Sequence, residues 1–350
     1  MPPTRVGLQI AIVGATGAVG AELLSILADR QFPVGGLDLI ASSRGAGRVI
    51  HAFGREHHVQ TLASFEFKDV DIAFFSAGTA VSQEYAPQAA SAGALVIDNT
   101  NAFRMDKATP LVVPEVNAHV LGVRPSSGII ANPNCSTIQM VRVLEPLDRA
   151  FGLDQVYCST YQAASGRGLT GLSELRTRSL QYLSGEPVSA PSNRFPAELP
   201  FNVIPQVDVF TSSGATLEEQ KMRQETRKIL GRDDIQVFPF AARVPVFNGH
   251  SEVLILRFRR KVDIDLACDS LAKATMIKYY SEQGYPHIHE VSGTDHVHVG
   301  RLHTDPEDPL VLYAWVAADN LRVGAALNAV EIAECVCARG LVQCRKQRAS

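Results

Sequence analysis

Hydrophobic and polar positions alternate between two periods over the first 130 residues. Ile10-Ala11-Ile12-Val13 is a continuous apolar run, and Glu22 to Arg30 then carries Leu23, Leu24, Ile26 and Leu27 at helical spacing. Leu37 to Ala41, Val70 to Phe75 and Ala94 to Asp98 repeat the strand texture, with a helical segment over Gln83 to Ala92. Strands alternating with helices predict a parallel, doubly wound α/β sheet. Gly128-Ile129-Ile130-Ala131 predicts one more strand, followed by a turn at Asn132-Pro133-Asn134. An amphipathic helix then opens near Cys135 and is expected to be capped by Ser136 or Thr137.

Beyond that helix the pattern changes. Val156 to Gln162 reads as a strand, Leu169 to Leu183 as a long helix, and Pro187, Pro191, Pro196, Pro200 and Pro205 mark a long excursion. Val237 to Phe240 and Glu252 to Phe258 are further strands, which predicts an α+β domain with an antiparallel or mixed sheet. The last helix, over 325–339, is apolar enough to pack back onto the first domain. The expected division is therefore 1–133 with 325–350, and 134–324.

Length and composition narrow the class. A chain of 350 residues, 46% apolar and 20% charged, has room for two cored domains. A net charge of −3 gives no reason to expect nucleic acid or an anionic membrane as partner. The basic run Arg345-Lys346-Gln347-Arg348 reads as a solvated tail. Six cysteines are too sparse for a disulfide scaffold, and Cys335-Val336-Cys337 reads as core or surface thiols. Met1 to Arg5 lacks a signal-peptide layout, and the longest apolar stretch, Ile10 to Ala21, is too short to span a bilayer, so a reducing cytoplasm is expected.

Candidate chemistry enters at three places. Gly14-Ala15-Thr16-Gly17-Ala18-Val19-Gly20 lies between a strand and a helix, where backbone amides and the helix dipole favour a pyrophosphate; such glycines also serve plain turns. After the second strand come Ser42-Ser43-Arg44-Gly45 rather than the Asp or Glu that holds a ribose 2′-hydroxyl. Hydroxyls and a guanidinium suit the 2′-phosphate of NADP, although an exposed polar loop is the plain alternative. Cys135 at a helix N-terminus is placed to be a thiolate nucleophile, or else a small buried hydrophobe.

A nucleophilic cysteine needs a base and a group that holds the substrate. His57-His58, His287-x-His289 and His296-x-His298 lack a third ligand at zinc-site spacing and read as solvated polar faces, so no metal is expected. His250 follows Gly249 in a turn near Arg243 and is either an acid/base or an exposed loop residue. Glu218 and Lys221, at i and i+3, form a surface pair or present opposite charges to a zwitterion. Arg104 follows a strand at the sheet edge where ligands bind. Spacing alone does not choose among these charges.

Seven motifs together resemble the aspartate-semialdehyde dehydrogenase family. They are Gly14 to Gly20, Phe103 to Asp106, Val113 to Asn117, Asn132 to Thr137, Thr160 to Gly166, Arg243 to Val246 with Gly249 to Glu252, and Asp319 to Arg322 with Gly324 to Ala326. They stand in the family's order and cover nearly the whole chain. The resemblance implies a Rossmann-type N-terminal domain binding NADP and a second domain for catalysis and dimerisation. It implies Cys135 as the thioester-forming nucleophile, Gln162 as an orienting group and His250 as the acid/base. Arg104, Asn134, Glu218, Lys221 and Arg243 are implied to bind substrate, with Arg243 and Glu218 on the aspartyl unit and Arg104 and Lys221 on phosphate. Gly14, Thr16, Gly17, Ala18, Val19, Ser42, Arg44, Gly45, Ser165, Gly166 and Asn320 are implied to contact NADP.

The implied reaction is NADPH-dependent reductive dephosphorylation of L-aspartyl-4-phosphate to the semialdehyde, on the route to lysine, threonine, methionine and isoleucine, in a homodimer or homotetramer. Two positions depart from the family pattern: Arg167 where a small residue is usual, and Gly45 where Ser often follows the arginine. Two rivals remain. An N-acetyl-glutamyl-phosphate reductase would share the mechanism but has no use for an amine-binding Glu218. An inactive paralogue kept as a binding protein would not need both Cys135 and His250.

Overall fold

In the computed structural model, residues 7–186, 194–281 and 283–342 are described. Pro187, Pro191, Cys344 and the basic run 345–348 lie outside them. The chain divides into two compact units, Met1–Pro133 with Ala325–Ser350, and Asn134–Gly324. Among the described residues no helix is long and apolar enough to cross a membrane.

In the first unit, β1 (Leu8–Val13) leads through the glycine turn into α1 (Ala18–Asp29). β2 (Val34–Ala41), the hairpin β3 (Val49–Ala52) and β4 (Arg55–His58), and β5 (Gln60–Thr61) follow. β6 (Ile72–Phe75), α2 (Thr79–Ser91), β7 (Leu95–Asp98), α3 (Pro114–Asn117) and β8 (Ile129–Ala131) complete the N-terminal run. The six-stranded sheet is parallel with order β5-β2-β1-β6-β7-β8. The order reverses at β1, so the glycine turn sits at the switch point of a doubly wound sheet. β1, β6 and β7 are buried along their whole length, which is why they read as unbroken apolar runs rather than as alternation.

The second unit opens with α4 (Cys135–Phe151) and β9 (Leu153–Gln162). Next come α5 (Gly168–Ser184), α6 (Leu217–Leu230), β10 (Gln236–Arg243) and β11 (His250–Phe258). α7 (Ile264–Lys273), β12 (Ile277–Tyr279), the one-turn α8 (Ile288–Val291), β13 (Val297–Thr304) and β14 (Val311–Ala318) follow. The sheet order is β10-β9-β11-β14-β13-β12, with β10 parallel to β9 and β11 antiparallel to both β9 and β14, a mixed sheet as expected. α4 packs on one face. On the other, Tyr157, Tyr161, Phe238 and Phe240 stay exposed, and Tyr157 stacks on Phe238 at 4.8 Å. The last helix, α9 (Asn328–Ala338), belongs to the first unit, where it packs against α1, α3 and β7.

One histidine differs from expectation. His298 is a buried residue of β13, bonded to the Tyr280 hydroxyl and Thr294 rather than solvated, and burial pulls its imidazole down to about 4. His296 is exposed, as are His287 and His289, which flank and enter α8. Among the described residues no group of three His, Cys, Asp or Glu is gathered as a metal site.

Candidate active site

In the first unit the glycine turn is shaped by backbone contact. Gly14 has φ +97°, and a Cβ there would meet Ser76 O at 2.7 Å; a Cβ on Gly20 would strike the carbonyl of Gly14. Gly17 caps α1 without a side chain, and the first turn of α1 holds no acidic residue, so its amides face nothing negative of their own. The 42–45 turn closes through Gly45 N–H to Ser42 O at 2.8 Å. A Cβ on Gly45 would lie 2.8 Å from Ala41 Cβ and 3.0 Å from Thr16 Oγ1, so this turn and the glycine turn share a wall. That contact accounts for glycine at this departure: a serine would crowd Thr16. These cradles, which a Cβ would fill, fit a dinucleotide phosphate. Arg104 is buried, with Nε donating to Asn132 O at 2.9 Å and Nη2 to Asn99 O at 2.8 Å.

In the second unit the cap of α4 is Asn134, not Ser136 or Thr137. Its Oδ1 accepts from Ser136 N–H at 3.0 Å and from Thr137 N–H at 3.3 Å, so Cys135 becomes the first helical residue. Asn134 is itself held by α6. Its Nδ2 donates to Glu218 Oε1 at 2.9 Å, and its backbone N–H donates to Glu225 Oε2 at 2.7 Å. Glu218 and Glu225 are seven residues apart and therefore share a helical face. A capping box of Thr216 and Glu219 starts α6, and Glu219 Oε1 accepts from Ala241 N–H at 2.9 Å, which ties this end to β10.

Three neighbouring strands deliver the remaining groups. Gln162 ends β9 and pairs in register with Arg243, which ends β10. His250 begins β11, one position beyond the Ser251–Tyr161 pair. Gln162 Nε2 donates to Ser136 Oγ at 3.0 Å and to Glu218 Oε1 at 3.1 Å. Arg243 Nη1 donates to Ala163 O at 2.6 Å, and Ala163 N–H donates to His250 Nδ1 at 3.1 Å. Cys135, Asn134, Gln162, Glu218, Lys221, Arg243 and His250 thus collect where the ends of β9, β10 and β11 meet the N-termini of α4 and α6. Gly324 packs on Cys135: a Cβ there would lie 2.7 Å from Cys135 Cβ.

Burial sets the electrostatics. Arg243 is pulled down to about 10 by burial, against the upward pull of Glu218 and Cys135, and stays charged at neutral pH. His250 is fully buried rather than exposed on a loop; burial first, then Arg243, lowers its imidazole to about 3. Since Nδ1 accepts from Ala163, the neutral ring carries its proton on Nε2, which has no hydrogen-bond partner among the described residues. Glu252, on the same face two residues along, is also fully buried. Burial pushes its carboxyl well above the usual range, with Gln139 opposing. The Glu218–Lys221 pair is not a surface pair: Glu218 is buried, and the Lys221 ammonium is 2.6 Å from Asp208 but 3.6 Å from Glu218.

Ser165, Gly166 and Asn320 support this cluster. Asn320 Oδ1 accepts from Ser165 Oγ at 2.8 Å and from Gly249 N–H at 2.9 Å, fixing the turn before His250. A Cβ on Gly166 would stand 2.8 Å from Arg243 Nη1, so glycine admits the guanidinium. A cavity of about 750 Å³ lies elsewhere, lined by Ser251, Tyr285, Arg301, His303 and Trp315 among others, and none of the candidate site residues lines it. Three partners had no distinct sequence signal: the buried Glu225 and Glu252, and the half-buried Asp208. Only Glu252 lies within a quoted motif.

A doubly wound nucleotide-type domain joined to a mixed-sheet domain bearing a helix-terminal cysteine defines a semialdehyde dehydrogenase. Residues 9–123 match the semialdehyde dehydrogenase NAD binding domain, and residues 144–323 match the semialdehyde dehydrogenase dimerisation domain. The chain belongs to the aspartate-semialdehyde dehydrogenase family, oxidoreductases of amino-acid biosynthesis. It is 46% identical to the aspartate-semialdehyde dehydrogenase of Legionella pneumophila over 93% of this chain and 95% of that one. It is 44% identical to the Bacillus subtilis enzyme over 94% and 97%. Aspartate semialdehyde dehydrogenase II of Vibrio cholerae, in a structure complexed with ASA, superposes with a TM-score of 0.92 at 43% identity, covering 94% of this chain and 98% of that one.

Proposed function

We propose that the protein reduces L-aspartyl-4-phosphate to L-aspartate-4-semialdehyde through a thioester on Cys135. The observation that carries this reading is the double hold of α6 on Asn134, which sets the cysteine at the helix start beside a carboxylate, Glu218, and an orienting amide, Gln162. The Cys135 thiolate attacks the acyl carbonyl, and phosphate leaves toward the cationic Lys221; the family resemblance also assigns phosphate binding to Arg104. Arg243 takes the α-carboxylate, and Glu218 the α-ammonium. NADPH, when bound, supplies the hydride that reduces the thioester. His250 donates a hydrogen bond from Nε2 to the substrate oxygen. That hydrogen bond stabilises the negative charge that develops on the oxygen as hydride arrives. Expulsion of the Cys135 thiolate then frees the aldehyde.

NADP is favoured over NAD by Ser42, Ser43 and Arg44, with no acid at the end of β2. On the first unit Gly14, Thr16, Gly17, Ala18, Val19, Ser42, Arg44 and Gly45 would hold the nucleotide. A blocked amine, as on N-acetyl-glutamyl phosphate, offers no ammonium to the buried Glu218, which disfavours that substrate. A reducing cytoplasm suits a thiol nucleophile and the free thiols of Cys158, Cys268, Cys335 and Cys337. The uncovered aromatic face of the second sheet suits a two-fold partner.

The test is phosphate-dependent NADP reduction with L-aspartate semialdehyde. Wild type is expected to turn over and Cys135→Ser to fall to background. Equal rates for the two proteins would overturn the thioester route.

A further inference from the structure

Asp208 is a charged residue in a backbone conformation that side chains rarely adopt. Its φ is +69°, in the left-handed region that Asp and Asn tolerate better than other non-glycine residues. The turn is held at three atoms. Asp208 Oδ1 accepts from Val209 N–H at 3.0 Å, its carbonyl accepts from Gln206 Nε2 at 3.0 Å, and Oδ2 accepts from Lys221 Nζ at 2.6 Å. An uncommon backbone conformation held by a charged contact motivates a functional reading.

The contact competes with a local one. Lys221 and Glu218 are three apart on α6, the spacing at which a helix pairs opposite charges, and they form an ion pair at 3.6 Å. The ammonium lies a full ångström closer to Asp208, thirteen residues upstream. Glu218 also receives two neutral amides, Asn134 Nδ2 and Gln162 Nε2, which orient its carboxylate. Burial raises the Asp208 carboxyl, but the Lys221 hydrogen bond and charge outweigh it and hold it below the usual range, with Arg167 adding to the effect.

We infer that Asp208 is a positioning residue for the known reaction: it takes the Lys221 ammonium at hydrogen-bond distance and holds it at the longer ion-pair distance from Glu218, so that both charges remain available to a substrate carrying phosphate and ammonium. This rests on the reading of Lys221 and Glu218 under Proposed function. It also gives Arg167, the departure from the family pattern, a place beside Asp208.

The test is Asp208→Asn. Asparagine tolerates the left-handed backbone and keeps the Oδ1 acceptor for Val209, while it removes the charge and replaces the acceptor facing Lys221 with a donor. Lys221 is expected to close on Glu218 in a crystal structure of the variant. KM for phosphate and for the semialdehyde should each rise about tenfold, the scale of a hydrogen bond to a charged group, with kcat within about twofold of wild type. In a Lys221→Met background the same substitution should have no further effect. A Lys221 ammonium that stays 3.6 Å or more from Glu218 in the variant overturns the inference, as does a KM effect that persists without the lysine. If Lys221→Met alone leaves KM for phosphate unchanged, the phosphate role of Lys221 fails, and the Lys221–Glu218 distance in Asp208→Asn still decides the role of Asp208.

Discussion

Asn134 Nδ2 donates to Glu218 Oε1 at 2.9 Å while Asn134 Oδ1 caps the helix that begins with Cys135. One side chain therefore fixes both the start of the helix that opens with Cys135 and the direction of a buried carboxylate. The two functions use different atoms, so they separate by mutation. Asn134→Asp keeps an acceptor for the cap but sets a second carboxylate against Glu218. It is expected to fold, with a raised KM for the semialdehyde and a smaller change in kcat. Asn134→Ala should lose both functions and about 1 kcal/mol or more of stability. Thermal melts and steady-state kinetics on the two variants check this; identical kinetics would count against a role for Glu218.

Cys135 should be alkylated before the other described cysteines. It is partly exposed at a helix N-terminus, whereas burial pushes the Cys158 thiol well up and the Cys337 thiol to about 11. Brief iodoacetamide treatment followed by peptide mapping is the measurement. Uniform labelling would mean that Cys135 is an ordinary thiol.

Arg44→Ala should weaken NADP binding far more than NAD binding, because only NADP carries the phosphate the guanidinium would meet. Titration of both cofactors against one preparation decides it. A parallel loss would move Arg44 out of the 2′-phosphate site.

His250→Asn should slow turnover by about 10²–10⁴-fold while leaving NADP affinity intact. It should also change the acid limb of stability. The folded imidazole sits at about 3, against roughly 6.5 when unfolded, so the unfolded chain takes up a proton that the fold refuses. This contribution is present above pH ~6.5 and is lost as pH falls, at about 1.4 kcal/mol per pH unit until the folded value is reached. Between pH 6 and 4 the wild type should therefore lose stability faster than His250→Asn, by that slope. Parallel denaturant midpoints across this range would show that His250 is not buried and neutral.

The exposed face of Tyr157, Tyr161, Phe238 and Phe240 should be covered by a second copy, and sedimentation at micromolar protein is expected to show a dimer. Phe240→Glu places a charge at its centre and should shift the species toward monomer. Wild type that sediments only as monomer would overturn the assignment.

Periodicity alone was enough for the elements that bury one continuous surface. β1, β6 and β7 are apolar throughout because both faces of a parallel sheet are covered, and α1 shows its helical stripe because one side meets that sheet. The glycine turn was also legible, since close backbone approach leaves no room for a Cβ at Gly14 or Gly20. The cap was misread because Asn134, Ser136 and Thr137 all suit an N-cap, and the choice depended on Glu218 and Glu225, residues far away in sequence. His250 was open between exposed loop and acid/base because burial is a property of neighbours: the hydrogen bond from Ala163 and the nearby Arg243 come from other strands. Asp208 carried no motif. Whether Lys221 pairs within its own helix or with a carboxylate thirteen residues upstream is a difference of one ångström, which only the folded chain decides, because helical spacing allows the first contact while the left-handed turn at Asp208 makes the second one shorter.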